Sequence, residues 1–335
     1  MALEVQKEAG RQELVNLQIL RGIAAMLVVT NHFLSGTVAG VFRNNGGFGV
    51  DIFFVLSGFL MIHTLTHHKT PMNFFFSRVK RIYPLYVILS LPLILSWIPL
   101  RDGYHFIGNI LLLPGLNDPN YKLANSPAWT LVYEMLFYVI FSIALVFSRK
   151  KIWTCIIVCS AILLSVLFTN GYERLGWINL GFIMGDSLMI NFAAGCAIAL
   201  LYTKLKNLHI SAIFFVVSSI VLFWLALIEL DGSLRIVKFG IPAMALIMIA
   251  IACKAYSGPF KNILKKIGDA SYSIYLSHIY LTFVFHNMRD VNNNWFVTLY
   301  SSVCFVVISV LFGLFVYKNV EQPINNYLKS RSKAP

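Results

Sequence analysis

The stretch Leu20-Arg21-Gly22-Ile23-Ala24-Ala25-Met26-Leu27-Val28-Val29-Thr30-Asn31-His32 places an arginine and a histidine in an otherwise apolar run. A run of this kind reads as a helix, and at about 1.5 Å of rise per residue Arg21 and His32 stand about 16 Å apart along its axis. Ionisable groups are costly in lipid, so both positions are functional candidates.

The rest of the chain identifies the surroundings as lipid. Of 335 residues, 58% are hydrophobic and only 12% charged, which leaves too little polar side chain to cover a soluble surface. The reading is an all-α, polytopic membrane helix bundle. Runs long enough to cross about 30 Å of hydrocarbon occur at 15–37, 48–66, 81–99, 128–147, 152–169, 188–203, 210–229, 234–254, 270–288 and 295–318, about ten transmembrane helices. Phe106 to Leu116 is apolar but too short to span and reads as interfacial or re-entrant. This divides the chain into an N-terminal segment, 1–14, a transmembrane domain, 15–318, and a tail, 319–335.

Basic residues set the orientation. With a cytosolic N-terminus, the outer segments hold only Arg43, Arg101, Lys122, Arg174, Arg235, Lys238 and Arg289, against 19 basic residues in the cytosolic segments. That bias predicts both termini in the cytosol. It also accounts for the net charge of +13 by short loops facing anionic lipid, and no basic and aromatic module for nucleic acid is present.

The first apolar run is a full span with no small-residue cleavage site, so no removable signal peptide is expected. Cys155, Cys159, Cys196, Cys253 and Cys304 all fall in predicted spans, which reads as packing and not as disulfides or a metal cluster. His63 and His67 share a helical face beside His68, a pattern more typical of a titratable surface than of a metal site. No metal is expected.

What remains is polar residues embedded in apolar sequence. Asp51 opens the second span, and Ser57-Gly58 lies near its middle, where small residues serve helix packing or let a ligand approach. Arg78 and Arg81 are three apart and share a face on a helix, which suits either a polyanion or a plain topology signal. Glu134 lies about two turns into the fourth span, where a carboxylate needs a cation or a wet cavity. His278 sits near the middle of the ninth span and reads as a packed histidine or a functional one. Glu321-Gln322-Pro323 is expected to end the tenth span, because proline cannot continue a helix.

Taken in order, these blocks resemble a known family. Leu20-Arg21-Gly22 with His32, Gly49-Val50-Asp51 through Ser57-Gly58-Phe59, Arg78-Val79-Lys80-Arg81-Ile82-Tyr83-Pro84, Trp129-Thr130-Leu131-Val132-Tyr133-Glu134, Ser271-Tyr272-Ser273-Ile274-Tyr275-Leu276-Ser277-His278 and Glu321-Gln322-Pro323 are together similar to the bacterial membrane family called acyltransferase-3. The resemblance runs from about residue 14 to 328. It implies a ten-helix core in the bacterial cytoplasmic membrane that takes acetyl, or another short acyl group, from cytosolic acyl-coenzyme A to a hydroxyl of a surface or exported glycan. Acetyl-coenzyme A is then a donor substrate, and no tightly bound cofactor is expected. The partners implied are the acyl donor, a glycan or lipid-linked saccharide and membrane lipid. Many relatives carry a further soluble domain; with about 17 residues after the last span, none is expected here.

Carried over by position, the resemblance makes His32 the central catalytic residue, with Arg21, Ser57, Arg78 and Arg81 around the donor's path. Glu134 joins His32 as a catalytic candidate, and Asp51, Trp129 and His278 are candidates for the acceptor. Asn16, Leu17 and Gln18 stand where many relatives carry an acidic residue, a departure that resembles the exopolysaccharide-modifying branch. Acyl transfer to a hydroxyl needs a base and donors for the tetrahedral oxyanion, and histidine suits the first task. His32 is expected to act as general base or as transient acyl acceptor, with Glu134 or Asp51 orienting it or binding sugar hydroxyls. The rival class is a transporter or flippase of a lipid-linked sugar, but the sequence has no inverted repeat or paired broken helices to favour it.

Overall fold

The computed structural model describes residues 15–34, 45–66, 70–98, 103–116, 118, 120–169, 178–208, 210–227, 235–289 and 295–331. The expectations for His67, His68, Arg43, Arg101, Arg174 and the segment 1–14 lie outside them. Among the described residues, regular structure is helical apart from two single-residue bridges, Gly115 with Asn179 and Ile210 with Cys253.

The helices in chain order are α1 (Val15–Leu34), α2 (Asn45–His63), α3 (Pro71–Trp97), α4 (Gly103–Leu111), α5 (Trp129–Phe147), α6 (Lys151–Thr169), α7 (Leu180–Gly185), α8 (Leu188–Leu200), α9 (Tyr202–Lys206), α10 (Ala212–Leu227), α11 (Ile241–Ala252), α12 (Lys261–Asp269), α13 (Ser271–Arg289), α14 (Trp295–Val316) and α15 (Gln322–Arg331). Each of the ten apolar runs contains one. Among the described residues, six segments are long and apolar enough to cross a membrane: Val15–Leu34, Gly46–His63, Pro71–Trp97, Ser126–Phe147, Lys151–Thr169 and Phe296–Arg331. The apolar stretches Leu188–Leu200, Ala212–Ala226 and Ile236–Ala252 are shorter. Helix α13 has the length but carries serines, tyrosines and two histidines.

Helix α3 starts ten residues before the expected 81–99. Thr70 caps it, its hydroxyl accepting from the Asn73 N–H at 3.2 Å, and Pro71 occupies the first turn, where a missing N–H costs nothing. Arg78, ahead of the expected span, therefore lies with Arg81 inside one helix. Helix α4 matches the short apolar run. Its nine residues reach only about 13 Å, and the chain reverses at Leu112, whose φ is 51°. The helix docks midway along α3, where Tyr86 donates to the Asn109 carbonyl and Tyr83 to the Leu111 carbonyl, both at 2.5 Å.

Pro323 does not stop the last helix, contrary to expectation. A π-turn, Tyr317–Glu321, precedes it, the Gln322 N–H bonds to the Tyr317 carbonyl, and the helix continues as α15. The wider turn re-pairs the backbone just ahead of a residue that has no N–H to give. The same device recurs at Ile236–Gly240, two residues ahead of Pro242 in α11.

The bundle exposes large apolar side chains and buries polar ones among an apolar core. Phe147, Leu167, Phe168, Ile213 and Tyr300 are exposed, whereas Asn16, Asp51, Ser90, Asn125, Asn191, Ser273, Ser277 and His278 are buried. Only a lipid surround makes that arrangement favourable. Two glycine crossings hold it tight. A Cβ on Gly58 of α2 would stand 2.0 Å from the Phe192 carbonyl oxygen of α8, and one on Gly195 of α8 the same distance from that of Val55. At the second crossing, Gly22 of α1 meets Gly268 of α12. Close approach of this kind is how helices associate where water supplies no driving force.

Candidate functional site

Eleven steps of about 100° bring His32 back to within about 20° of Arg21 around the axis of α1. The two side chains share a face three turns apart and serve two neighbouring sites.

The first is a cavity of about 100 Å³ enclosed by α1, α2, α3, α5 and α13. Its polar lining is Arg21, Ser57, Arg81, Thr130, Glu134, Tyr138, Ser271, Tyr272 and Tyr275. Glu134 is held by one oxygen: Ser57 donates to Oε1 at 2.8 Å, and Tyr138 donates to the same atom. This answers the demand that a carboxylate at this depth have a cavity to face. Among the described residues, no donor bonds to its other oxygen. Tyr272 is pinned to the Ile82 carbonyl at 2.8 Å, and Tyr275 donates to the Pro127 carbonyl at 2.6 Å.

The cavity arginines are under-compensated. Arg21 donates to Gln18 at 3.4 Å, and Gln18 donates to Asp269 at 2.8 Å, so an amide stands between that carboxylate and Arg21 in the hydrogen-bond chain. Arg81 is exposed where it lines the cavity, and it repels Arg21 electrostatically. Arg78, the other member of the expected pair, does not line the cavity. Its guanidinium lies 5.2 Å from the Phe74 ring centroid, with Nε buried and unpartnered. Among the described residues neither of the two cations facing the cavity has a direct ion pair, an arrangement that suits an anionic ligand.

The second site is His32 against His278, with ring centroids 4.9 Å apart. His278 is fully buried, and among the described residues neither ring nitrogen has a hydrogen-bond partner of good geometry. Tyr275, one turn earlier on α13, lies 6.1 Å from His278 and also lines the cavity. Phe53, 5.9 Å from Tyr275, lines the cavity as well. Tyr275 thus borders both the histidine pair and the cavity.

Asp51 and Trp129 belong to neither site. Asp51 is fully buried, ion-paired to Arg235 at 2.6 Å, and accepts from Asn191 at 2.6 Å. Trp129 packs edge-on against Tyr133, which donates to Asp186 at 2.8 Å. Gly58 serves helix packing, while its neighbour Ser57 lines the cavity. His63 is packed between Phe59 and Tyr202. The five cysteines are free thiols.

Sequence reasoning missed Tyr138, Tyr272, Tyr275 and Thr130 as lining residues. The i,i+4 spacing from Glu134 to Tyr138 was the available signal. It also missed Glu321, whose carboxylate accepts from the Ser273 hydroxyl at 2.5 Å and acts electrostatically on Arg21 and Arg81.

Comparison with known proteins adds a separate line. A family profile described as an acyltransferase domain matches residues 14–318. The chain is 26% identical over 355 residues to a Bacillus subtilis protein named peptidoglycan O-acetyltransferase YrhL, covering 91% of this chain and 54% of that one. It is also 26% identical over 248 residues to the exopolysaccharide production protein ExoZ of Rhizobium meliloti, covering 70% of this chain and 76% of that one. The chain thus spans about half the length of the first relative. No solved structure matches it.

Proposed function

We propose, from the premise that this chain belongs to the acyltransferase-3 family, that it is a membrane O-acyltransferase moving acetyl, or another short acyl group, from acyl-coenzyme A to a glycan hydroxyl. The names of the two relatives support a glycan acceptor. The observation that carries the reading is the division of labour along one face of α1. Arg21 opens into a cavity rich in cationic and hydroxyl groups, and His32 lies about 16 Å further along the axis. A donor whose anionic end rests on Arg21 and Arg81 has to present its acyl group at the end of a long, thin arm. Acyl-coenzyme A has that shape.

In this reading the donor enters from the cytosol, ten helices cross the bacterial cytoplasmic membrane, and both termini face the cytosol. The charge bias of the loops supports that orientation. Arg78 stands beside the entrance as a further cation. His32 takes the proton of the acceptor hydroxyl as its oxygen attacks the thioester carbonyl. The carbon–sulfur bond then breaks, and the thiolate leaves with a proton, so an ester and a free thiol are the products. Transient acylation of His32 is the two-step version of the same exchange. The unpartnered ring of His278 lies where it can hold or pass the His32 proton. Glu134, with one oxygen fixed and one open, orients a hydroxyl in the cavity. Asp51 supports α2 through Arg235.

The test is transfer of radiolabel from acetyl-labelled acetyl-coenzyme A to extracted surface or lipid-linked glycan, in membranes carrying the wild-type protein or His32→Ala. Transfer by wild type that vanishes in a normally expressed His32→Ala is the expected result. Full transfer by the variant would overturn the mechanism.

A further inference from the structure

We propose that Glu321 is a positioning residue that sets how tightly the cavity holds an anionic donor, acting from behind Arg21 and Arg81 without touching the ligand. The proposal rests on the acyl-coenzyme reading of the cavity. Glu321 does not line the cavity. It is the last residue of the π-turn Tyr317–Glu321, a local widening that re-aims the side chains it carries, and such turns collect at functional sites. The turn directs Glu321 to α13, where the buried Ser273 hydroxyl donates to Oε2 at 2.5 Å. Helix α15, which follows, packs on α3, the helix that carries Arg81.

From there the carboxylate acts on both cavity arginines, and both act on it. No direct ion pair joins Glu321 to either arginine among the described residues. The Ser273 hydroxyl occupies the carboxylate and holds it short of that pairing. The arginines thus stay open toward the cavity while their net attraction for an anion is reduced. A negative charge behind them opposes the ligand in front, and that opposition favours release of the equally anionic product. The recurrence at Ile236–Gly240 supports the assignment, because Arg235, immediately before that π-turn, is aimed at Asp51. Both turns precede a proline, and each adjoins or carries a charged side chain that reaches a neighbouring helix.

Two substitutions have opposite expected effects. Glu321→Gln removes the charge and keeps an acceptor for Ser273. Ser273→Ala keeps the charge and frees the carboxylate to pair with Arg21. The measurement is equilibrium binding of coenzyme A to the purified full chain in lipid nanodiscs. Glu321→Gln is expected to tighten binding about three- to tenfold at low salt, the scale of one nearby charge at a partly screened site, and to lose most of that gain at high salt. In turnover its KM and kcat fall together, as product leaves more slowly. Ser273→Ala is expected to weaken binding. Should Glu321→Gln not fold, Ser273→Ala and Glu321→Asp decide, the latter retaining wild-type affinity. Unchanged binding in the variants, or a loss in both Glu321→Gln and Ser273→Ala, would overturn the proposal while leaving the donor reading intact. No binding of coenzyme A by wild type would remove the donor reading and this inference with it.

Discussion

Replacing Gly58 by alanine tests the central helix crossing. The new methyl would stand 2.0 Å from the Phe192 carbonyl oxygen, 2.9 Å from its carbon and 3.1 Å from the Cys196 nitrogen. A carbon needs roughly 3.3 Å from a carbonyl oxygen, so α2 and α8 have to part by about 1.3 Å. The obstacle is main chain, which no rotamer change relieves, so the overpacking cost sits toward the upper end of about 1–3 kcal/mol. Relief of the helical glycine returns about 0.5–1 kcal/mol, leaving a net loss of about 2 kcal/mol. A shift of that size also disturbs the 2.8 Å bond from Ser57, the next residue, to Glu134, so activity falls with stability. Thermal unfolding of purified Gly58→Ala in detergent, beside Gly103→Ala as control, measures this, since a Cβ on Gly103 meets nothing within 4 Å. Equal melting temperatures for the two variants, with full activity in Gly58→Ala, would refute the crossing. Gly195→Ala, facing the Val55 carbonyl at 2.0 Å, is expected to repeat the effect.

Three other outcomes follow from the polar contacts. Arg235→Ala leaves Asp51 buried and unpaired and is expected to destabilise by about 3 kcal/mol, the low end for a buried pair because Arg235 is partly exposed; Asp51→Asn added to it should recover part of the loss in the same melting assay. Ser57→Ala and Tyr138→Phe each leave one donor on Glu134 Oε1 and are expected to lower acyl transfer about tenfold; the double variant, which strips that oxygen of both, should lose more than the product of the two, and a simply multiplicative loss would count against a shared role. In the segment after α4, the Asn120 N–H and then the His105 ring, 2.7 Å away, hold the Asp118 carboxyl below the usual carboxylate range. The stabilisation from a depressed acid is present at neutral pH and lost as pH falls through the lowered value. Limited proteolysis of residues 112–125 should therefore quicken at strongly acid pH in wild type, and Asp118→Asn should show the faster rate already at neutral pH.

Local composition was enough to locate the helices, because a helix that satisfies its own backbone in lipid must be apolar along its length. It failed at boundaries set by single residues. Thr70 and Pro71 began α3 early, and the π-turn ahead of Pro323 carried a helix through a residue expected to stop it. Polarity in apolar surroundings marked Arg21, Ser57, Arg81 and Glu134, which do meet in one cavity. The same signal marked Asp51, which pairs instead with a residue 184 positions away. Depth in the bilayer makes a charge conspicuous in sequence, but only its partner distinguishes a tie from a site.

The sequence by itself determined that this chain is a bundle of apolar helices carrying Arg21 and His32 on one helical face. Rise and twist are properties of the local backbone, and hydrophobicity is a property of each residue. Tertiary structure alone decided which charges stay open. Gln18 stands between Asp269 and Arg21, Ser273 bonds Glu321, Arg235 occupies Asp51, and His278 comes to rest against His32. Those pairings join helices far apart along the chain. They depend on close crossings such as Gly58 with Gly195, where the absence of a side chain lets two backbones touch.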